Sequence, residues 1–253
     1  MIPIVTCCNE RYLPALKALH NSFLRNSAEG FEFYAITEGR DFSDHVRSMG
    51  IGVIEEPVFP AERYPVSERY PEPLPIFYAR LLVPSLFQDR QRSIYIDTDS
   101  IILRNLQPLI DLDIGDKPVA ATRSSSPMSI EFSGGRADKY GPMSSLYVFN
   151  HKAWAEKRIL ERCAAAMADD SVTFYTIAQG LLQYVLNGDW HELPWETQVH
   201  AGHSTWNQYP RARMYTLHFM GTNPWEEYVP QIIPTPLKLA LRELWKTYAA
   251  LQF

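Results

Sequence analysis

Asp97 and Asp99 stand one residue apart in Ser93-Ile94-Tyr95-Ile96-Asp97-Thr98-Asp99-Ser100-Ile101-Ile102-Leu103, with apolar β-formers on both sides. Ile and Tyr favour buried strand. An unpaired carboxylate inside such a strand is very costly. The strand is therefore expected to end at Asp97, with both carboxylates facing a cation at its C-terminal edge, where open α/β sheets bind ligands. Oxygen donors of this kind suit Mg²⁺ or Mn²⁺, and such ions usually also hold phosphate. An isolated Asp-x-Asp also occurs as a turn or cap pair. Its place between two apolar runs is what gives this one weight.

Four further side chains could join that chemistry. His218 ends the short run Tyr215-Thr216-Leu217, as a metal ligand or a half-buried histidine. The Gly221-Thr222-Asn223 that follows could present backbone N–H groups to an anion. Arg80 lies among Phe77, Tyr78, Leu81 and Leu82, where it could pair with Asp97, Asp99 or a ligand phosphate. Tyr12 follows the end of the first strand, where a base could stack on its ring. Gln179 sits on an apolar helix, a weak signal alone. Trp190, Trp195 and Trp206 are interleaved with His191, His200 and His203. The aromatic faces suit sugar rings or an ordinary core, and the histidine spacing matches no zinc motif.

The elements that must carry these groups follow from periodicity. Ile2–Thr6, Phe31–Ile36 and Ile51–Ile54 read as strands. Leu13, Leu16, Leu19, His20, Phe23 and Leu24 recur at helical spacing. Strands alternating with helices at this pace indicate βαβ units and a mostly parallel sheet. Residues 76–87 read as a helix leading into the aspartate strand. Residues 118–122, 146–149 and 214–217 read as strands, and 154–167 and 173–186 as helices. Residues 191–213 show no clear period. A helix over about 236–252 carries Leu237, Leu241, Leu244, Trp245, Tyr248 and Leu251 on one face. It is expected to dock on the core, with weak peripheral membrane contact as the lesser option. The stretch 57–75 holds six prolines and repeats Glu-Arg-Tyr-Pro, and 123–142 is rich in Ser and Gly. Both are expected to be loops that order when a ligand binds.

The chain has 253 residues, 46% of them hydrophobic, so a sizeable core is expected and disorder is not. A net charge of −5 argues against broad nucleic-acid binding. The start is not basic, and no apolar run approaches the roughly 18 residues of a spanning helix, so neither a signal peptide nor a transmembrane segment is expected. Cys7, Cys8 and Cys163 form no disulfide framework. A reducing, cytoplasmic setting fits, with Cys7-Cys8 as packing.

Taken in order, a strand followed by Asn9-x-x-Tyr12, then Phe77-Tyr78-Ala79-Arg80, Tyr95-Ile96-Asp97-Thr98-Asp99, Gln179 with Leu181-Leu182, and His218-Phe219-Met220-Gly221 with Pro224-Trp225, resembles glycosyltransferase family 8. That group includes glycogenin and bacterial lipopolysaccharide galactosyl- and glucosyltransferases. The resemblance spans about residues 2–225. It implies an α/β GT-A fold, Rossmann-like, with a mixed, mostly parallel sheet flanked by helices in one domain over 1–253. A nucleotide and metal half would fill about 1–122 and an acceptor half about 143–225. It implies a retaining hexosyltransferase using a UDP-sugar and Mn²⁺ (or Mg²⁺). Asp97, Asp99 and His218 would hold the metal. Thr6, Asn9, Tyr12, Arg80, Asp97, Thr98, Gly221 and Asn223 would bind the nucleotide-sugar, with Tyr12 by the uracil. Gln179 would lie beneath the anomeric carbon as the catalytic group. The acceptor would be a glycan, a lipid-linked sugar or a protein. The chain departs from the family pattern at Ala178-Gln179-Gly180, where the family has Asp-Gln-Asp. It departs again at Met143-Ser144-Ser145, which replaces an Asn-x-Gly turn, and at Asn223, which replaces a lysine.

Two other readings stay open. The missing carboxylates beside Gln179 suit a non-catalytic nucleotide-sugar binder. A strand followed by Asp-x-Asp is also the nucleophile motif of haloacid-dehalogenase-type phosphatases, although there it normally opens the catalytic domain.

Overall fold

The computed structural model describes residues 1–55, 57, 59–61, 64, 75–124, 141–172, 174, 176–201, 210–219, 223–225 and 235–251. The two loops read at 57–75 and 123–142 lie largely outside the described residues. In chain order the elements are β1 (Ile2–Cys8), α1 (Leu13–Asn26), β2 (Phe31–Thr37), α2 (Arg40–Ser48), β3 (Gly52–Glu55), α3 (Pro75–Ala79), α4 (Val83–Leu86), β4 (Arg92–Ile96), β5 (Ser100–Ile102) and α5 (Gln107–Ile110). Then come β6 (Val119–Thr122), β7 (Leu146–Asn150), α6 (His151–Glu156), α7 (Ile159–Ala168), α8 (Ile177–Leu186), β8 (His191–Leu193), β9 (Gln198–His200), β10 (Thr216–His218) and α9 (Thr235–Ala249).

The main sheet has the strand order β3-β2-β1-β4-β7-β6-β8. β3, β2, β1 and β4 run parallel, as do β6 and β8, while β7 is antiparallel to both its neighbours. Side chains along these strands alternate between two cores. Val5, Tyr95, Tyr147 and Phe149 pack with Tyr78, Leu81, Trp154 and Leu181 on one face. Ile4, Ile94, Ile96 and Val148 pack with Leu16, Leu19, Phe23 and Phe42 on the other. Apolar residues at both parities are what a strand covered on both faces requires. Among the described residues, no helix is long and apolar enough to cross a membrane.

A second sheet, β5-β10-β9, positions the chemistry. β5 is antiparallel to β10, and β9 is parallel to it. A third core joins Ile101, Val199, Leu217 and Phe219 to Leu241 and Tyr248 of α9. Asn21 on α1 donates to the carbonyls of Tyr248 and Leu251, each at 3.0 Å, tying α9 down.

Several expected elements differ in detail. The helix read over 76–87 is broken into α3, a 3₁₀ turn at Arg80–Leu82, and α4. Pro84, in the first turn of α4, cannot continue an α-helical ladder from the preceding turn. The helix read over 154–167 starts earlier, capped by Asn150, whose side chain accepts from the Ala153 N–H at 3.2 Å. It breaks at Arg158, where φ is 52°. α8 begins at Ile177; Thr173, read as its start, lies outside the described residues. The apolar run after Asp99 is a strand of the second sheet, not a continuation of β4. The stretch without period at 191–213 contains β8 and β9, three-residue strands too short to display one. The last strand is Thr216–His218 and the last helix Thr235–Ala249, against 214–217 and 236–252.

His20, on the buried face of α1, packs against Phe23 and Phe33 with ring centroids 6.0 and 5.2 Å away. Burial lowers its pKa from 6.5 to about 4. The unfolded chain therefore binds a proton in this range that the folded chain refuses. The contribution of His20 to stability is present above pH 6.5 and is lost as the pH falls toward 4. Between pH 7.5 and pH 5 we expect this group to remove about 1–2 kcal/mol. In urea titrations at the two pH values, the loss should shrink by that amount in His20→Phe. An equal loss in both proteins would contradict the assignment.

Candidate functional site

β4 delivers Asp97 and β5 leads away from Asp99, so the turn Asp97-Thr98-Asp99 joins the two sheets. Backbone bonds pin both ends. The Asp97 N–H donates to the Ser145 carbonyl at 2.9 Å, and the Phe219 N–H donates to the Asp99 carbonyl at 2.8 Å. Thr98 turns into the core, where its Oγ1 donates to the Cys7 carbonyl at 2.5 Å and lies 2.8 Å from Thr6 Oγ1. The turn's middle residue is an anchor, and the two aspartates are left to face outward.

β10 carries His218 directly opposite Ser100. Its Nε2 lies 2.9 Å from Asp99 Oδ1 and 3.9 Å from Asp97 Oδ2. One ligand atom from each of Asp97, Asp99 and His218 falls within 4.8 Å of the others. Donors on opposite sides of a bound divalent cation sit roughly 4–4.5 Å apart, given metal–ligand distances of about 2.0–2.3 Å. Two carboxylates and an imidazole at this spacing therefore fit a divalent cation after a small closure. Burial disfavours the charged form of His218, yet the Asp99 carboxylate outweighs it and raises the imidazole pKa above 6.5. Burial likewise pushes Asp99 upward, and the His218 charge reverses this to hold it below 3.8.

Asp97 is shared between two roles. Arg80 Nη1 lies 2.9 Å from its Oδ1, and the Tyr95 hydroxyl donates to the same oxygen at 2.6 Å. Oδ2 is the oxygen nearest His218. The guanidinium also donates to the Ser144 carbonyl at 3.1 Å and lies 4.8 Å above the Tyr95 ring. Burial works against the Arg80 charge, but Asp97 beside it keeps the group firmly protonated.

A cavity of about 240 Å³ opens on this cluster. Asn9, Tyr12, Arg80, Asp97, Thr98, Asp99, Gln179 and His218, all singled out from sequence, line it. Tyr12 meets Trp225 edge-on at 6.0 Å, and Trp225 in turn meets Trp245 of α9 at 6.2 Å. The Oδ1 of Asn9 is buried with no hydrogen-bond partner among the described residues. Thr6 does not line the cavity and reaches the site through Thr98. Asn223 does not line it either; its backbone is left-handed, with φ 27°. Gly221 lies outside the described residues.

Gln179, at the first turn of α8, has its Oε1 3.3 Å from the Ser144 N and 3.0 Å from the Ser144 Oγ. A backbone N–H can only donate, so the amide atom facing it is the oxygen. The carbonyl of Gln179 is thus held by Ser144. From sequence, Ser144 and Ser145 stand only as a departure from the family turn, His200 only among the interleaved tryptophans and histidines, Cys7 only as packing and Tyr95 only within the aspartate strand; none of them is placed there at the cavity or beside His218. Period-two alternation could have found Tyr95, which shares a strand face with Asp97. Ser144 and His200 come from distant segments with no local signal. Burial pushes the Cys7 thiol up to about 12, so it stays protonated, as packing requires.

A mixed, mostly parallel α/β sheet with this site at its carboxyl edge defines the GT-A class of glycosyltransferase fold. The structure of the galactosyltransferase LgtC in complex with donor and acceptor sugar analogs superposes with a TM-score of 0.72 at 17% identity, covering 98% of this chain and 95% of that one. The chain belongs to glycosyl transferase family 8, whose profile matches residues 3–228. Membership sets the phosphatase reading aside. "Probable glycosyl transferase Gly" of Streptococcus gordonii is 26% identical over 177 residues, covering 66% of this chain. "General stress protein A" of Bacillus subtilis (strain 168) is 26% identical over 172 residues, covering 58% of this chain. The matched regions span 23% and 58% of those two relatives' own lengths.

Proposed function

We propose that this protein is a metal-dependent glycosyltransferase that moves a hexose, glucose or galactose, from a UDP-sugar to a glycan, lipid-linked or protein acceptor, with retention of configuration. The observation that carries this is the convergence of Asp97, Asp99 and His218 in a cavity that Tyr12, Asn9 and Gln179 also line. Asp97, Asp99 and His218 would hold Mn²⁺ or Mg²⁺, which when bound neutralises charge on a leaving diphosphate. Tyr12 offers a face to the uracil, and the unpartnered Asn9 Oδ1 offers an acceptor beside it. Arg80 fixes Asp97 and places positive charge against the cavity. Residues about 1–122 would supply most of the nucleotide and metal half and about 143–225 the acceptor half, with His218 reaching the metal from the second. The three free cysteines suit a cytoplasmic setting.

One observation favours a second reading, a nucleotide-sugar binder that does not turn over. Gln179 is flanked by Ala178 and Gly180, and its carbonyl is engaged by Ser144. The two readings separate in one experiment, in which UDP release is measured with UDP-glucose and UDP-galactose, with and without MnCl₂. Release that depends on Mn²⁺ supports the transferase. Binding of UDP and Mn²⁺ by calorimetry with no release from any donor, across an acceptor panel, selects the binder. Absence of both kinds of binding removes both.

The His218–Asp99 pair predicts a pH dependence of opposite sign with and without metal. Mn²⁺ must displace a proton from His218, so affinity should fall about tenfold per pH unit below its raised pKa, beginning above pH 6.5. Without metal, the pair's contribution to stability is fully present between pH 3.8 and 6.5 and is lost as the pH rises through the folded His218 value. Calorimetric Mn²⁺ titrations at pH 6, 7 and 8 check the first statement. A flat profile would contradict it.

A further inference from the structure

We propose that His200 is the positioning residue that sets the tautomer of His218 and so makes it a competent metal ligand; this rests on the metal reading above. β9 and β10 are parallel neighbours in a register that pairs His218 with His200. The Ala201 N–H donates to the His218 carbonyl at 2.8 Å, which locks the two strands at that point. Their rings meet at 70°, with centroids 5.1 Å apart and Nδ1 facing Nδ1 at 3.2 Å.

The proton positions follow from what surrounds each nitrogen. His218 Nε2 is the atom that faces Asp99 at 2.9 Å and Asp97 at 3.9 Å. Only a bare ring nitrogen can ligate a metal. When Nε2 is bare, the single proton of a neutral imidazole must sit on Nδ1. That N–H points at His200 Nδ1, which must then accept, with its own proton on Nε2. When His218 is instead charged and donates to Asp99, its Nδ1–H still needs the same acceptor. His200 therefore performs one task in both states, and only the Nε2 proton leaves when a metal arrives. Outer partners that fix a metal-ligating histidine in this way are commonly worth 10–100-fold in metal affinity.

The test uses the full chain, with MnCl₂ titrated by calorimetry, alone and with UDP. His200→Leu removes the acceptor and is expected to bind Mn²⁺ at least tenfold more weakly than the parent. His200→Asn keeps an acceptor oxygen on the same Cγ position and is expected to stay within threefold. A merely structural role would weaken both. In the Mg²⁺-saturated protein, ¹⁵N spectra of labelled histidine should show His218 Nδ1 protonated and His200 Nδ1 bare. The proposal is overturned by His200→Leu binding as tightly as the parent, by His200→Asn binding no better than His200→Leu, or by the opposite protonation pattern. If the parent protein binds no Mn²⁺, the metal reading fails and takes this role of His200 with it. If the parent binds and His200→Leu binds equally, the metal reading stands and this role alone fails.

Discussion

Asp99→Asn is expected to cut Mn²⁺-dependent transfer about 10³-fold while leaving the fold intact. The carboxylate supplies one of three converging ligand atoms, and a neutral amide oxygen in its place brings no negative charge to offset a divalent cation. Several kcal/mol of charge stabilisation by a metal corresponds to that factor at about 1.4 kcal/mol per tenfold. The fold should survive for three reasons. The turn is held by the backbone bond from Phe219 to the Asp99 carbonyl, not by its side chain. The Asn oxygen can still accept from His218 Nε2, now 2.9 Å from Asp99 Oδ1. Thr98 remains anchored to Cys7 and Thr6. The checking measurements are UDP release with Mn²⁺ and a thermal midpoint on the same preparation. Full turnover in the variant would remove Asp99 from the metal set, and a collapsed midpoint would mean that its role is structural.

The parts of the fold legible in sequence are those whose signal is local and repeated. Ile2–Thr6, Phe31–Ile36 and the strand ending at Asp97 could be read because they are covered on both faces, so apolar residues dominate at both parities despite Thr6, Glu32 and Ser93. The amphipathic α1 could be read because fourteen residues give several turns of its stripe. Pro84 breaks the helix read over 76–87. The second sheet was the main loss. Each of its strands has three residues, too few for a period to emerge. Its existence depends on pairings between β5, β9 and β10, more than a hundred residues apart at the widest. That sheet is also what carries His218 to Asp99, so His218 was recoverable from its resemblance to a family motif and not from periodicity. The hold of Ser144 on Gln179 and the contact of His200 with His218 were illegible for the same reason, since contacts between remote segments leave no mark on either segment.

The largest effect on stability is expected from Asp97→Ala, which should lower the unfolding free energy by about 3 kcal/mol. Arg80 is 8% exposed and remains charged. Its compensation is Asp97 Oδ1 at 2.9 Å, supplemented by the neutral carbonyls of Phe77 and Ser144 at 2.9 and 3.1 Å. Removing the carboxylate leaves a buried cation whose hydrogen-bond partners are neutral carbonyls alone. It also leaves the Tyr95 hydroxyl, now donating to that carboxylate at 2.6 Å, without its acceptor. Removing both charges should cost much less than the sum of removing each, because a buried ion pair replaced by apolar groups is often near neutral while a broken one is not. Asp97→Ala, Arg80→Met and the double variant, compared by urea unfolding without metal, measure this directly. We expect a coupling of roughly 1–3 kcal/mol, with the double variant more stable than Asp97→Ala. Additive losses would mean that Asp97 is not what compensates Arg80.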